Sequence, residues 1–249
     1  MEELRNCIKA NEEWEAFLYD WHNGIKLRRQ NKDIEFWDSY LEKLRPNEVL
    51  VIGAGTGRIA IPLNKKFNVE ALDISAGRLN RLKHKSKEVL TICSDISEYV
   101  SEKKYDCVIV PYSTFQCIYP TEKILNMLHS IHNLLIKGGY LLIDLSTHFN
   151  EDIDEDWVTV AEGYSLEIDA YIKELQRTIR HPQYIELDKM FQISDKEENI
   201  LVNEIWYNYD AKYMEKVLSK TGFSIKHVHN GYGDEKTAYR RIYTCVLFE

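Results

Sequence analysis

The chain has 249 residues, 44% hydrophobic and 29% charged, with a formal net charge of −8. That length buries a substantial core in one α/β domain with an elaboration, and the composition is ordinary for a soluble globular protein. No apolar run approaches the roughly 20 residues that cross a bilayer, the polar start Met1-Glu2-Glu3 is unlike a secretory or transit segment, and the acidic balance without a basic block disfavours a nucleic-acid substrate.

Residues 1–45 read as helical, because Trp14, Phe17, Leu18, Trp21, Phe36, Trp37, Tyr40, Leu41 and Leu44 recur at helical intervals. Pro46-Asn47 breaks the pattern. Alternation follows: strand 49–53, helix 57–66, strand 69–73, helix 76–86, strand 89–93, a short helix 96–100, strand 106–111, helix 121–136, a Gly138-Gly139 turn and strand 140–145. Beyond the acidic loop at 150–156, segments 157–164, 166–179, 183–193 and 200–208 alternate apolar and polar residues, as antiparallel strands do. A helix at 210–221 ends at Gly222, and strands 223–229 and 240–248 close the chain. The order predicts a doubly wound, mostly parallel seven-stranded α/β sheet of Rossmann-like type. It divides into an N-terminal helical lid (1–45), a core (46–149 and 209–249) and an inserted antiparallel cap (150–208). Five cysteines show neither metal nor disulfide spacing. Cys93 and Cys107 lie in apolar strand runs and read as buried thiols of a reducing cytoplasm.

The residues that carry chemistry begin where the first core strand, Val49-Leu50-Val51-Ile52, runs into Gly53-Ala54-Gly55-Thr56-Gly57-Arg58. Asp73 ends the next strand, 20 residues after Gly53. A glycine turn opening a helix, followed by a strand-end carboxylate, describes a cradle for a nucleoside-bearing cofactor. The dinucleotide fingerprint asks for glycine at the sixth position, where this chain has Arg58. A diphosphate is therefore imperfectly matched. Gly53 and Gly55 let the backbone turn tightly and approach a ligand.

Val49 to Arg58, Asp73, Asp95, Tyr105 to Val110 and Leu135 to Ile143 resemble, in order and spacing, the successive motifs of class I S-adenosylmethionine-dependent methyltransferases of small-molecule type. The resemblance is close over residues 45–145 and looser over the terminal helix–strand–strand, where that family inserts an antiparallel seventh strand. It implies S-adenosyl-L-methionine as cofactor, held by Gly53, Ala54, Gly55 and Gly57, with Asp73 accepting from the ribose hydroxyls, Ile74 beside the cofactor, Asp95 accepting from the adenine amino group and Ile96 against the ring. Pro111 would border the cofactor. Tyr19-Asp20 resembles a pair in which the tyrosine closes over it.

Two side chains are candidates for catalysis. Tyr112, in Pro111-Tyr112-Ser113, leaves the fourth strand opposite the transferable methyl; this loop partly resembles the Asn-Pro-Pro-Tyr motif of enzymes that methylate amino groups on bases or glutamine, but the polar residue is replaced by Ile109. His148 leaves the fifth strand at the same edge and is the best-placed imidazole for a general base. His227 and His229 lack a cysteine or carboxylate at ligand spacing, so no metal site is read. Trp157, Tyr164, Tyr171, Tyr184, Phe191, Trp206, Tyr207 and Tyr209 are candidate pocket walls, about half of them expected in sheet core. The expected partner is a small-molecule methyl acceptor, with no membrane and no oligomeric state implied. A tRNA or protein substrate, a cofactor-binding protein without catalysis, and a nucleotide-dependent oxidoreductase stay open as alternatives.

Overall fold

A computed structural model describes residues 6–26, 31–147, 155–233 and 239–248. Its elements, in chain order, are β1 (Cys7–Lys9), α1 (Glu12–Lys26), α2 (Lys32–Leu44), β2 (Glu48–Ile52), α3 (Ala60–Leu63), β3 (Asn68–Asp73), α4 (Ala76–Lys85), β4 (Leu90–Cys93) and β5 (Tyr105–Val110). After a 3-10 turn (Thr114–Cys117) come α5 (Thr121–Leu134), β6 (Leu135–Ser146), β7 (Glu155–Ser165), β8 (Ala170–Arg180), β9 (Tyr184–Ile193), β10 (Asn199–Tyr207), α6 (Ala211–Lys220), β11 (Phe223–Asn230) and β12 (Arg240–Leu247). They form two compact units, Met1–Asn31 with Phe149–Trp206 and Lys32–His148 with Tyr207–Glu249. The N-terminal residues divide between them: α1 belongs to the first unit and α2 to the second.

The larger unit holds a seven-stranded sheet in the order β11-β12-β6-β5-β2-β3-β4. β12 runs antiparallel to both its neighbours, while β6, β5, β2, β3 and β4 pair in parallel. Because the chain builds outward from β2 in one direction and then from β5 in the other, the order reverses between these two strands. That reversal opens a crevice at their carboxyl ends, where ligands of open α/β sheets bind.

Side-chain alternation builds the two layers around this sheet. Leu50, Ile52, Val108, Val110, Leu141 and Ile143 join α5 and α6 in one buried cluster. Val49, Val51, Cys107, Ile109 and Leu142 join α2, α3 and α4 in the other. Strands covered on both faces read as unbroken apolar runs, and Val49 to Ile52 are at most 1% exposed. Helix ends are closed locally. Ser75 accepts from the Arg78 N–H at the start of α4, Asp210 does so from Tyr213 for α6, and Gly222 (φ +87°) terminates α6.

In the smaller unit a five-stranded sheet runs β1-β10-β9-β8-β7. β7, β8 and β9 pair antiparallel, and β1 lies parallel to β10. Phe17, Leu18 and Trp21 of α1, spaced at i, i+1 and i+4, bury against Ile172, Phe191, Ile193 and Ile200 of this sheet.

Four sequence expectations are corrected. β1 falls inside the stretch read as helical; three residues paired to a strand nearly 200 positions away leave no local signal. The helix expected over 57–66 is only Ala60–Leu63, and none forms at 96–100, where Asp95 instead accepts from the N–H of Ser97 in a turn. Cys107 is buried as expected, but Cys93 is exposed, because β4 is the sheet's edge strand and its flank is open. Trp37 of α2 is fully buried, so Trp37→Ala is expected to cost about 3–5 kcal/mol in denaturant unfolding, whereas exposed Val100→Ala stays within about 0.5 kcal/mol.

Candidate active site

The loops after β2, β3, β4 and β5, with the end of β6 and the first residue of antiparallel β12, meet at the carboxyl edge of the seven-stranded sheet. The Gly53–Gly57 loop bends through three left-handed backbones, with φ of +66°, +55° and +92° at Gly53, Gly55 and Gly57. Crowding at two of them comes from the chain itself. A Cβ at Gly53 would lie 2.3 Å from the Thr114 side chain, and one at Gly57 would meet Ile61 and Leu82 within 3 Å. Gly53 thus admits the neighbouring loop, and Gly57 admits the packing of α3 and α4.

Gly55 has a different task. Its N–H donates to Asp73 Oδ2 at 2.7 Å, while Asp73 Oδ1 accepts from the Ser75 N–H at 2.9 Å. The carboxylate is therefore fixed from both sides, and each oxygen keeps a second acceptor position. Asp73 does not cap the following helix; Ser75 does. Beside it Ile74 is 70% exposed, an apolar side chain standing open at a polar edge. Ile96, by contrast, is 5% exposed and packed into the core with Leu72 and Phe115. Asp95 Oδ1 holds both the N–H and the hydroxyl of Ser97, and Oδ2 lies 3.4 Å from Lys123 Nζ. Burial pushes the Asp95 carboxyl up, but the Ser97 hydrogen bonds and the Lys123 charge outweigh it and hold the group below its ordinary value. It stays ionised and accepting at neutral pH.

A second cluster, absent from the sequence reading, fixes the loop after β5. Asp144 of β6 is fully buried. Its carboxylate accepts from Arg240 Nε at 2.9 Å and Nη2 at 2.7 Å, from the Tyr232 hydroxyl at 2.5 Å and from the Tyr112 N–H at 2.9 Å. Arg240 Nη1 also donates to Ser113 Oγ at 2.9 Å. Tyr112 and Ser113 both sit in the left-handed region, at φ +51° and +65°, a conformation that costs non-glycine residues roughly 1–2 kcal/mol each. The Asp144 contacts offset that strain. The guanidiniums of Arg58 and Arg240 stand 5.0 and 5.3 Å from the Tyr112 ring centre, and Arg58 pairs with buried Asp33. Gln116 ties the same loop to β6, donating to the Ser146 carbonyl at 3.1 Å and accepting from its N–H at 2.7 Å.

Among the residues singled out in the sequence, Gly53, Ala54, Gly55, Gly57, Asp73, Ile74, Asp95, Pro111 and Tyr112 come together at this edge, whereas Ile96, expected against the adenine ring, packs into the core behind it. Tyr19 lies half-buried on α1 in the other unit, and His148 lies outside the described residues. Of the candidate walls, Phe191 is core beside Trp21, Tyr164 and Tyr171 are exposed, and Tyr207 and Tyr209 stack in a column with Tyr119 and Tyr213. Asp144 had one visible signal, a lone carboxylate in the apolar run Leu141-Leu142-Ile143-Asp144-Leu145. Its partner Arg240, 96 residues on, had none.

These residues fit an adenosyl group. A carboxylate held by two N–H groups with acceptor positions to spare suits two vicinal hydroxyls, Ile74 supplies apolar surface, and Asp95 supplies an ionised acceptor for an amino group. A diphosphate is poorly served: α3 has only four residues, too few for a strong N-terminal dipole, and Arg58 is committed to Asp33 and Tyr112.

Comparison with known proteins agrees with this geometry. Residues 49–139 match the family model of the methyltransferase domain. A malonyl-[acyl-carrier protein] O-methyltransferase of Priestia megaterium is 41% identical over 73 residues, a match spanning 27% of this chain and 26% of that protein. A solved S-adenosylmethionine-dependent methyltransferase from Clostridium acetobutylicum shares the fold with a TM-score of 0.79 at 17% identity, covering 95% of this chain and 99% of that one. The sugar N-methyltransferase KedS8 from Streptoalloteichus does so at 0.76 and 15%, covering 93% of each chain. CalS10, an amino pentose methyltransferase of Micromonospora echinaspora solved with S-adenosylmethionine bound, reaches 0.67 at 13%, covering 96% and 92%.

Two outcomes follow from this edge. Asp144→Ala strands the buried Arg240 charge and is expected to cost about 3–5 kcal/mol in denaturant unfolding, while Asp144→Leu combined with Arg240→Met recovers most of that loss. Asp73→Ala is expected to weaken binding of S-adenosylhomocysteine by about 2–3 kcal/mol in isothermal titration; unchanged affinity would remove Asp73 from the ligand site.

Proposed function

We propose that this chain, whose residues 49–139 belong to the methyltransferase domain family, transfers the methyl group of S-adenosylmethionine to a nucleophilic atom of a small molecule. The observation that carries this reading is the Asp73 carboxylate locked to the Gly55 N–H at 2.7 Å, at the crevice of a sheet whose terminal strand pair includes one antiparallel member.

When bound, the donor supplies a methyl group on a sulfonium, an electrophile that needs no activation by the protein. What the chain has to contribute is position and dryness. Asp73 takes the ribose hydroxyls and Asp95 the adenine amino group, with Ile74 against the ring. The loop at Pro111-Tyr112-Ser113, pinned by Asp144 and Arg240, forms a rigid wall; the Tyr112 ring, contacted by two guanidiniums, acts as a fixed surface and not as a swinging base. Preorganisation of this kind removes reorganisation from the reacting step.

The acceptor is read as a nitrogen of a small polar molecule. Support comes from the fold relatives named above as a sugar N-methyltransferase and an amino pentose methyltransferase. Oxygen is the second reading, favoured by the curated O-methyltransferase relative. The net charge of −8 argues against a nucleic-acid substrate.

Two measurements check the proposal. S-adenosylhomocysteine is expected to bind in isothermal titration and NAD not; NAD binding alone would reverse the reading to an oxidoreductase. Incubated with methyl-labelled S-adenosylmethionine and a small-metabolite extract, the protein is expected to give a labelled small molecule, whereas binding without labelled product would mark a protein that only senses the donor.

A further inference from the structure

Between α2 and the end of β11, wholly within the larger unit, lies a cleft of about 370 Å³. Asp33, Trp37 and Leu41 turn one face of α2 into the core. Phe36 and Tyr40, each one residue before a buried neighbour, are only partly buried and line the cleft with His229 of β11 and Tyr232 just beyond it. The Phe36 and Tyr40 rings stack at 5.4 Å and 9°, and the His229 imidazole meets both at near right angles, 5.5 and 5.1 Å away. Two of these walls are anchored from outside the cleft. The Tyr40 hydroxyl pairs with Thr244 Oγ1 at 2.8 Å, and that of Tyr232 donates to Asp144 at 2.5 Å. Rings fixed in this way are ordered before a ligand arrives, which lowers the cost of binding one.

The charges around the cleft are unbalanced. Lys32 and Glu35 line it and pair with each other at 2.9 Å, whereas Lys43, on the same side of α2, makes no ion pair among the described residues. His229 reports the sign of the local field. Burial holds its imidazole below the ordinary value, His227 and Lys43 push it the same way, and no carboxylate opposes them. The imidazole is therefore neutral at pH 7, with one nitrogen able to donate. Its Nε2 is buried and meets no partner among the described residues, a cost that an acceptor brought by a ligand would remove. A positive potential walled by aromatic rings selects a planar ring that carries a negative charge. The volume lies within the roughly 300–1,000 Å³ of small-molecule pockets.

We propose that this cleft is a regulatory site for an aromatic carboxylate, with the ring along Phe36, Tyr40 and Tyr232 and the carboxylate between Lys43 and His229, and that an occupant strengthens the donor edge. Both walls lead to Tyr112. α2 carries Asp33, which pairs with Arg58, and the Arg58 guanidinium stands 5.0 Å from the Tyr112 ring centre. Tyr232 donates to Asp144, which accepts from the Tyr112 N–H. A ligand that bridges α2 and Tyr232 favours the arrangement in which both supports are engaged, and a ligand shifts an equilibrium by its differential affinity for the two states. The regulatory half rests on the methyltransferase reading; the binding half stands without it.

The test uses the full-length protein and three probes of one shape: 2-naphthoate, 2-naphthalenemethanol and 2-naphthylmethylammonium. In isothermal titration the carboxylate is expected to bind with a Kd of about 0.1 mM, and the alcohol and the ammonium about tenfold more weakly or less tightly still. Lys43→Gln is expected to remove most of the carboxylate's advantage over the alcohol. Ser39→Trp, at an exposed position lining the cleft, is expected to block naphthoate and leave S-adenosylhomocysteine binding unchanged. In the wild type, naphthoate is expected to tighten S-adenosylhomocysteine binding about fivefold, to a plateau. No naphthoate binding, equal binding of the three probes, or full naphthoate binding by Ser39→Trp overturns the site. S-adenosylhomocysteine affinity that ignores naphthoate overturns the regulation, and affinity that falls without limit as naphthoate rises puts the probe in the donor crevice and overturns both. Should S-adenosylhomocysteine bind under no condition, the methyltransferase reading fails and the regulatory half with it, while the naphthoate titrations still decide the site.

Discussion

The Asp144 carboxylate is the constraint on which the candidate active site depends. Fully buried on β6, it collects the guanidinium of Arg240 from β12, the hydroxyl of Tyr232 and the backbone N–H of Tyr112. Two segments far from β6 in the chain, the loop at Tyr112 and the stretch holding Tyr232 and Arg240, are thereby fastened to one strand end. Such a charge is tolerated because each partner is itself a donor aimed at an oxygen, so desolvation is met by charge-assisted hydrogen bonds. The strained backbone at Tyr112 and Ser113 persists for the same reason. Strain held in place by surroundings that over-determine it is a mark of functional loops, and this one borders the crevice where the sheet reverses its order.

The glycine loop shows how one motif serves several ends. Gly53 is needed because Thr114 occupies the space its Cβ would fill, and Gly57 because Ile61 and Leu82 do. Only Gly55, through its N–H on Asp73, bears directly on the proposed ligand group. The loop therefore couples helix packing, the neighbouring loop and the carboxylate, and a change at any one glycine is felt at the other two tasks. The offset of its third glycine from the dinucleotide pattern has a structural counterpart: behind it stand a four-residue helix and an arginine already engaged with Asp33.

Much of the larger unit was legible because its signals are local. Val49 to Ile52 is apolar on both faces, which says central strand, and the Gly53–Gly57 turn followed by Asp73 marks the loop and the carboxylate that meet at its carboxyl end. The strands β7 to β10 likewise announce themselves by alternation. What stayed hidden depends on distance. Arg240 could not be matched to Asp144, since 96 residues separate the partners. β1 is three residues whose only reason to be a strand is its pairing with β10. Cys93 was misread because an apolar run does not say whether its strand is central or at the edge. The expected helix at 96–100 failed for a local reason: Asp95 spends its acceptor on a tight turn at Ser97.

The central claim is that the carboxyl edge between β2, β3 and β5 is built to hold the methyl donor, with Asp73 as its ribose ligand. A crystal structure of the protein with S-adenosylhomocysteine tests it most directly. The account predicts both ribose hydroxyls on the Asp73 carboxylate, the adenine against Ile74 with its amino group towards Asp95, and the sulfur beside the Pro111-Tyr112 loop. A ligand seated elsewhere, or density at this edge in which Asp73 touches no hydroxyl, would contradict it.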